Sequence, residues 1–453
     1  MRMMNRLSRS GIPLLFVLLC CANMCFYWNR IQRASEATTP SAVHTKAKFL
    51  TDLYPPWVAA CELLLNHRDP YGPDVTREIQ LAYFGSELDP SHLSDLSDAQ
   101  IFSLAFRFAY PLYVVFFVAP LIWVEFHTAQ IIFWWFLFSV TLASMYLWSR
   151  FVGLQLRWPA LLALLSFLLT SVPAMQGLRI LQLGLVVAAL FAAAAFSAAR
   201  GHLFIAGALL ALTTIRPQMC ILVIAWFALW MSGAWARRLG LLWGFLATLA
   251  ILLLASHFLL PGWLLRYPSV LGTYAKYTGA WSLLGMLMPS TLHMLIVVAA
   301  LIVVVPFCWR ARQQPANSAS FALCLAFTLT LTVSVVPTVV ASFNQVLLLP
   351  AILLVIRYWS ELQQRTRPVR MATLTFALFG FLPWLLALVV TGGLALRHDE
   401  LTKISRIPLQ ASLALPFVVF GLLALTLSSA AIKSVPITVT ELAVPARTAS
   451  NSR

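Results

Sequence analysis

The sequence predicts an all-α polytopic membrane protein, and three observations carry that expectation. The chain of 453 residues is 61% hydrophobic and 10% charged, where a soluble domain carries about 25% charged residues. The apolar residues gather in runs long enough to be membrane spans. The basic residues, which give a net charge of +16, fall in the short connections between those runs. A nucleic-acid surface is excluded, because it would need those residues together on one soluble face.

Hydropathy places twelve candidate spans, at 11–28, 126–148, 159–175, 181–199, 203–215, 217–235, 239–260, 291–309, 319–341, 345–356, 371–393 and 412–432. A further apolar run, 102–124, is decided by charge. With the N-terminus cytoplasmic and 102–124 not crossing, the cytoplasmic side holds 17 basic and 2 acidic residues, a balance of 17 − 2 = +15. The outer side then holds 14 basic and 13 acidic residues, 14 − 13 = +1. Were 102–124 to cross, every later connection would flip and Arg237-Arg238 and the Arg357–Arg370 cluster would have to cross too. Arg107, Tyr110-Pro111 and Pro120 interrupt the run, as expected of juxtamembrane helices broken at proline.

These assignments give a cytoplasmic N-terminus 1–10, a first transmembrane helix 11–28, an outer loop 29–125 with juxtamembrane helices, a transmembrane core 126–432 and a disordered cytoplasmic tail 433–453. The loop holds 11 of the 15 acidic residues, so the polar chemistry is expected there. Arg2, Arg6 and Arg9 before the first apolar run resemble a signal peptide, but no A-x-A-like site follows, and the run reads as an uncleaved span. Of the cysteines only Cys61 lies in a polar region, which leaves no disulfide framework and no metal-ligand spacing. No internal repeat is visible, which weighs against a transporter built from repeated halves.

Within the loop, the stretch TDLYPPWVAACELLLNHRDPYG, residues 51–72, places Asp52 just beyond the first span, among Tyr54, Trp57 and Tyr71. Pro55 and Pro56 keep the chain out of a helix interior directly after Asp52, and a short amphipathic helix is expected from Trp57 onward. A carboxylate beside aromatic surfaces, partly removed from water, is suited to general-base work. The bland alternative is a solvated loop carboxylate among interfacial aromatics. Arg216 is the second candidate. The 203–215 run has 13 residues, roughly 20 Å of helix, short of a hydrocarbon core of about 30 Å. Either the membrane boundary is displaced there, or Arg216-Pro217-Gln218 sits below the outer surface and faces a polar cavity. A guanidinium there suits phosphate oxygens, the alternative being an arginine that snorkels to the headgroups. Arg179, Gln182, His257, His293 and Asn344 fall near the same ends of spans.

Asp52-Leu-Tyr-Pro-Pro-Trp57-Val-Ala-Ala, then Leu63-Leu-Leu and Asp69-Pro-Tyr71, resembles the first outer loop of glycosyltransferase family 87. Further stretches resemble that family in order. They are Phe108-Ala-Tyr110-Pro111-Leu112, Leu178 to Gln182, Ala211 to Gln218, Pro261-Gly-Trp263 and Phe343-Asn344-Gln345 to Pro350. The sequence departs from the pattern at Pro56, where the family has an aromatic, at Leu181, where it has glycine before Gln182, and at Arg216, where it has lysine. Tyr110 is followed by one proline rather than two.

The resemblance implies a C-type glycosyltransferase fold of about twelve transmembrane helices. It implies an integral-membrane hexosyltransferase of the cell envelope, with mannose the expected sugar. Similar enzymes include the mannosyltransferases of mycobacterial phosphatidylinositol mannosides. The donor would be a polyprenyl-phosphate sugar acting as co-substrate, with no other cofactor, and the acceptor a lipid or glycan hydroxyl. Asp52 would be the base. Arg216, Gln218 and Arg179 would hold the donor phosphate. Tyr54, Trp57, Tyr71, Tyr110, Gln182, His257, His293 and Asn344 would contact substrate. No metal site is expected, although Asp52 with Asp69 or Glu62 leaves a divalent ion open. The active site would face outward from a bacterial inner membrane. A lipid-linked-sugar flippase or transporter, a glycan ligase and a non-enzymatic scaffold are the competing readings.

Overall fold

The computed structural model describes residues 15, 17–28, 50–84, 107–278, 282–336, 341–394 and 407–427. The expected N-terminus 1–10, the 29–49 and 85–106 stretches and the tail 433–453 lie outside the described residues. Every regular element described is a helix.

Five helices are long and apolar enough to cross a membrane: Phe126–Phe151, Trp235–Leu259, Ser290–Ala311, Arg367–Thr391 and Ile407–Leu427. Trp158–Leu169 and Val172–Arg179 make a sixth if taken as one span bent by 61°. The bend falls where Pro173, in the first turn of the second piece, cannot continue the hydrogen-bond ladder of the first. The other six expected spans fall on shorter apolar helices, of 10–17 residues, such as Gly184–Ala199 and Pro217–Ser232. A helix needs about 20 residues to cross the hydrocarbon, so among the described residues helix length and composition support five or six crossings. Between 107 and 124 the longest helix is Val114–Val118, of five residues, followed by the 3-10 turn Ala119–Leu121.

The helix Ala319–Val335 is the centre of the bundle, with fifteen of its seventeen residues buried. Four buried hydroxyls lie along it. Those of Thr328, Thr330, Thr332 and Ser334 donate to the carbonyls of Cys324, Ala326, Thr328 and Thr330 at 2.8–2.9 Å. Each hydroxyl is thus satisfied by its own helix, which is how a helix with no water around it carries polar side chains. The alanine-rich helix Gly184–Ala199 packs closely on Phe126–Phe151. Small side chains let helix backbones approach where no hydrophobic force drives them together.

The tightest crossing joins Leu203–Leu212 to Trp235–Leu259. A Cβ on Gly207 would lie 2.0 Å from the carbonyl oxygen of Leu241, and one on Gly244 would lie 2.0 Å from that of Phe204. Each helix therefore needs glycine opposite the other's backbone.

One end of the bundle is closed by arginines on backbone carbonyls. Arg238 is buried and donates to Arg312 O at 2.6 Å and Gln314 O at 2.9 Å, as well as to Trp230 O. Arg357 donates to the carbonyl of Val152. Phe321 ties these turns together, with its ring 5.1 Å from that of Trp230 and 6.4 Å from that of Phe151. The opposite end carries the polar groups described next. Replacing Gly244 by leucine should push the 203–212 and 235–259 helices apart. It should lower stability in detergent unfolding by about 3 kcal/mol, the upper range for overpacking; an unchanged unfolding midpoint would mean that the crossing yields freely.

Candidate active site

Asp52 sits in a turn that leads into the helix Tyr54–Leu64. The helix begins at Tyr54, three residues before the expected start at Trp57. The reason is that Pro55 and Pro56 occupy its first turn, where no N–H is needed and the fixed φ of proline favours helix entry. The Asp52 N–H donates to Ile180 O at 2.9 Å, which pins the turn to the end of helix Val172–Arg179. Leu181 then takes φ +56°, a left-handed conformation that favours glycine. That residue turns the chain so that Gln182 faces Asp52.

Gln182 is 2% exposed and joins two charges. Its Nε2 donates to Asp52 Oδ2. Its Oε1 accepts from Arg216 Nη1 at 2.6 Å. Arg216 is 7% exposed and lies in the break between the 3-10 turn Thr213–Ile215 and helix Pro217–Ser232. Its Nε has no hydrogen-bond partner, so donor capacity remains beyond the contact with Gln182. Asn344, 1% exposed, reaches the same place from the 3-10 segment Ser342–Leu348. A Cβ on Gly184 would lie 3.0 Å from Arg216 Nη1 and 3.3 Å from Asn344 Oδ1. Glycine at that helix start therefore leaves room for both side chains. The Phe343 ring lies 6.0 Å from the Arg216 guanidinium, within cation–π range.

Burial pushes the Asp52 carboxyl above its ordinary value of 3.8, against the opposing pull of Arg216 and of the Gln182 hydrogen bond. Three phenols lie within reach of these charges. Burial raises Tyr83, Tyr110 and Tyr274; the Asp52 charge adds to it in all three, while Arg216 offsets it at Tyr110 and Tyr274. All three stay neutral near pH 7, and the Tyr83 hydroxyl donates to Thr51 O at 2.7 Å.

The other expected residues separate into those that build the loop and those that lie elsewhere. Tyr54 packs edge-on against Tyr83 and Phe126, at 5.7 and 4.9 Å. Trp57 Nε1 donates to Leu121 O at 3.1 Å and its ring packs on Phe126. The Tyr71 hydroxyl donates to Tyr110 O at 2.8 Å and its ring rests on Phe108. These three hold the loop together, and Tyr71 fixes the position of Tyr110. Arg179 lies over Trp28, 5.9 Å away, and lines a cavity of about 290 Å³ with Thr51, His127, Gln130 and Trp134. Gln218 is half-buried in the first turn of helix Pro217–Ser232. His293 lies 3.4 Å from Ser282 Oγ, and His257 is exposed in the last turn of Trp235–Leu259. The structure thus brings Asp52, Tyr110, Gln182, Arg216 and Asn344 together.

The carboxylates considered for a metal are engaged. Glu62 accepts from Arg68 at 2.8 Å and Asn66 at 3.0 Å, and Asp69 pairs with Arg266. Among the described residues no group of three His, Cys, Asp or Glu side chains could hold a metal ion. Tyr83 and Tyr274 are neighbours of Asp52 that the sequence did not single out. Nothing in the spacing of Tyr83 or Tyr274 from Asp52 reports that contact, because separate helices carry them there.

The arrangement can hold an ionised carboxylate, a phosphate-binding cation and neutral hydroxyl donors in one place shielded from water. Residues 108–337 match the model of glycosyltransferase family 87, and the match begins after the Asp52 loop. No curated protein and no solved structure matches the chain. The family match covers slightly more than half of the chain and includes Tyr110, Gln182 and Arg216. The chain belongs to glycosyltransferase family 87 and is a membrane-type glycosyltransferase.

Proposed function

We propose that the protein transfers a hexose, mannose in the first instance, from a polyprenyl-phosphate donor to a lipid or glycan hydroxyl at the outer face of a bacterial inner membrane. The observation that carries this reading is the line Asp52–Gln182–Arg216. It sets a carboxylate and a guanidinium on either side of one amide, so that a candidate base and a candidate phosphate-binding cation share one site. The outward placement is supported by the arginine-closed turns at the other end of the bundle, which suit the cytoplasmic side.

Gln182 holds Asp52 Oδ2, and Oδ1 is left for the acceptor. Asp52 removes the proton from the acceptor hydroxyl as that oxygen bonds to the anomeric carbon. The bond from the anomeric carbon to the phosphate oxygen breaks, and polyprenyl phosphate leaves with the electron pair. Arg216 stabilises the charge that develops on the leaving oxygen. A single displacement inverts the anomeric centre, and the proton on Asp52 returns to water.

Asp52→Asn should lower turnover by about 10²–10⁴-fold while donor binding persists, as loss of a general base does. The check is donor consumption and donor binding by purified protein in lipid, with a panel of polyprenyl-phosphate sugars; equal turnover by both proteins would remove Asp52 from the mechanism. Binding without turnover by the wild type would favour a flippase. The base must be ionised, so kcat/KM should rise with pH through a limb above 3.8. Because Arg216 lowers the Asp52 pKa, Arg216→Gln should move that limb to higher pH. The stability sign is the reverse. A carboxyl raised in the folded state stabilises the fold most below its unfolded pKa, and that contribution is lost as pH rises through the raised value. At neutral pH Asp52→Asn should therefore melt no lower than the wild type, measured by thermal unfolding.

A further inference from the structure

Arg216 is carried by a weak piece of backbone. The 3-10 turn Thr213–Ile215 gives way to Arg216 itself at φ −131° and ψ 81°, outside any helix. Pro217, which follows, has no N–H to donate. The Arg216 N–H reaches back three residues, to Thr213 O at 3.1 Å, and 3-10 bonds are poorer in geometry than those of an α-helix. Yet the Arg216 side chain must stay on Gln182 Oε1 for the bridge to Asp52 to form. A side chain from far along the sequence reaches the turn. The Tyr113 hydroxyl donates to Thr214 O at 3.0 Å and lies 2.9 Å from Thr214 Oγ1, across 101 positions. Thr214 Oγ1 uses its own proton on Ala211 O at 2.6 Å, so both oxygens of Thr214 accept from the phenol.

Tyr113 is itself held in place. It is buried, and the buried Trp263 ring meets it edge-on at 6.0 Å. Gly262, at φ +78°, turns the chain just before Trp263. The Pro261-Gly-Trp263 stretch thereby gains a place beside the site. Earlier on the segment that carries Tyr113, Tyr110 O accepts from Tyr71 of the Asp52 loop at 2.8 Å. Residues 110–113 therefore join the loop that carries Asp52 to the turn that carries Arg216. Burial pushes the Tyr113 phenol up to about 12, against the pull of the Thr214 bond, so it keeps its proton at neutral pH.

We propose that Tyr113 is a positioning residue, whose hydroxyl clamps the 3-10 turn at Thr214 and so keeps Arg216 on Gln182. The proposal rests on the reading of Arg216 as the phosphate-binding cation and adds what fixes that cation in place. Released from the clamp, the turn has only its own 3-10 bonds to hold it across the break at Pro217. Arg216 then leaves Gln182 part of the time. Two consequences follow together, because one guanidinium serves both: the donor phosphate is held less well, and Asp52 loses the nearby charge that lowers its pKa.

The test compares the wild type, Tyr113→Phe, Arg216→Gln and the double variant as full-length proteins in lipid nanodiscs. Phenylalanine keeps the ring on Trp263 and removes only the hydroxyl. Amide hydrogen exchange in peptides covering 211–219 should quicken about two- to tenfold in Tyr113→Phe, as the loss of one net hydrogen bond does. Peptides from the Ala319–Val335 helix should stay as in the wild type. kcat/KM for the polyprenyl-phosphate sugar should fall by a similar factor, and its rising pH limb should move to higher pH, as in Arg216→Gln. In the Arg216→Gln background, Tyr113→Phe should change neither quantity further, because the side chain it positions is gone. An equal fall of kcat/KM in both backgrounds overturns the proposal, since a general loss of folded protein would add to both. Exchange at 211–219 that stays at the wild-type rate overturns it too, as does an unmoved pH limb in Tyr113→Phe when Arg216→Gln moves it. Should Arg216→Gln itself leave kcat/KM and the limb unchanged, the phosphate-cation reading fails, and exchange at 211–219 alone decides the clamp.

Discussion

The site depends on one amide. An aspartate and an arginine are brought to a place with little water, where each alone would be costly. Gln182 links them, and only one orientation serves. Nε2 must face the carboxylate and Oε1 the guanidinium, because the flipped amide would set oxygen against oxygen and N–H against N–H. The bridge therefore fixes which carboxylate oxygen is occupied and which is left to react. It also keeps the two charges from closing into a direct ion pair that would fill the space a substrate needs.

Four interruptions of helical backbone meet around that amide. They are the turn before Tyr54, the left-handed Leu181, the break at Arg216 before Pro217, and the 3-10 run through Asn344. Within a membrane protein such backbone is tolerated where it lines a polar cavity and its groups find partners. The Asp52 N–H on Ile180 O is one such pairing. The short helices that fall below a full membrane crossing, such as Gly184–Ala199 and Pro217–Ser232, are the ones whose ends supply these interruptions. Short helices and a buried polar site are thus one feature of glycosyltransferase family 87 architecture in this chain.

The aromatic residues near Asp52 divide the labour. Trp57 and Tyr71 use their polar atoms on backbone carbonyls of the loop, Leu121 O and Tyr110 O. Their rings rest on other rings, so they act as braces. Tyr83 does likewise, donating to Thr51 O, while Tyr110 and Tyr274 are neutral phenols close to the charges of Asp52 and Arg216. Further from the site the bundle relies on close backbone contact, as at Gly207 and Gly244, because lipid offers no hydrophobic force between helices.

The sequence by itself determined the all-helical membrane class, the unusual shortness of the 203–215 run and the choice of Asp52, Gln182, Arg216 and Asn344. The class, the short run and the candidates Asp52 and Arg216 follow from local quantities: hydropathy, proline positions and a charged side chain at the end of an apolar run; Gln182 and Asn344 entered through their place near span ends, and the roles of all four through the family resemblance. It also placed Trp57 and Tyr71 near Asp52, but not their hydrogen bonds, since those depend on residues 39 to 64 positions away. Only the tertiary structure decided that Arg179 lines a cavity with His127 and Trp134, that Tyr83 and Tyr274 approach Asp52, and that Gln345 is buried without a partner. The helix start at Tyr54 was likewise invisible, because a proline that forbids a helix interior also favours a first turn, and local sequence does not say which applies. Side-chain partners across separate helices are set by how the helices pack, and no spacing along the chain records that.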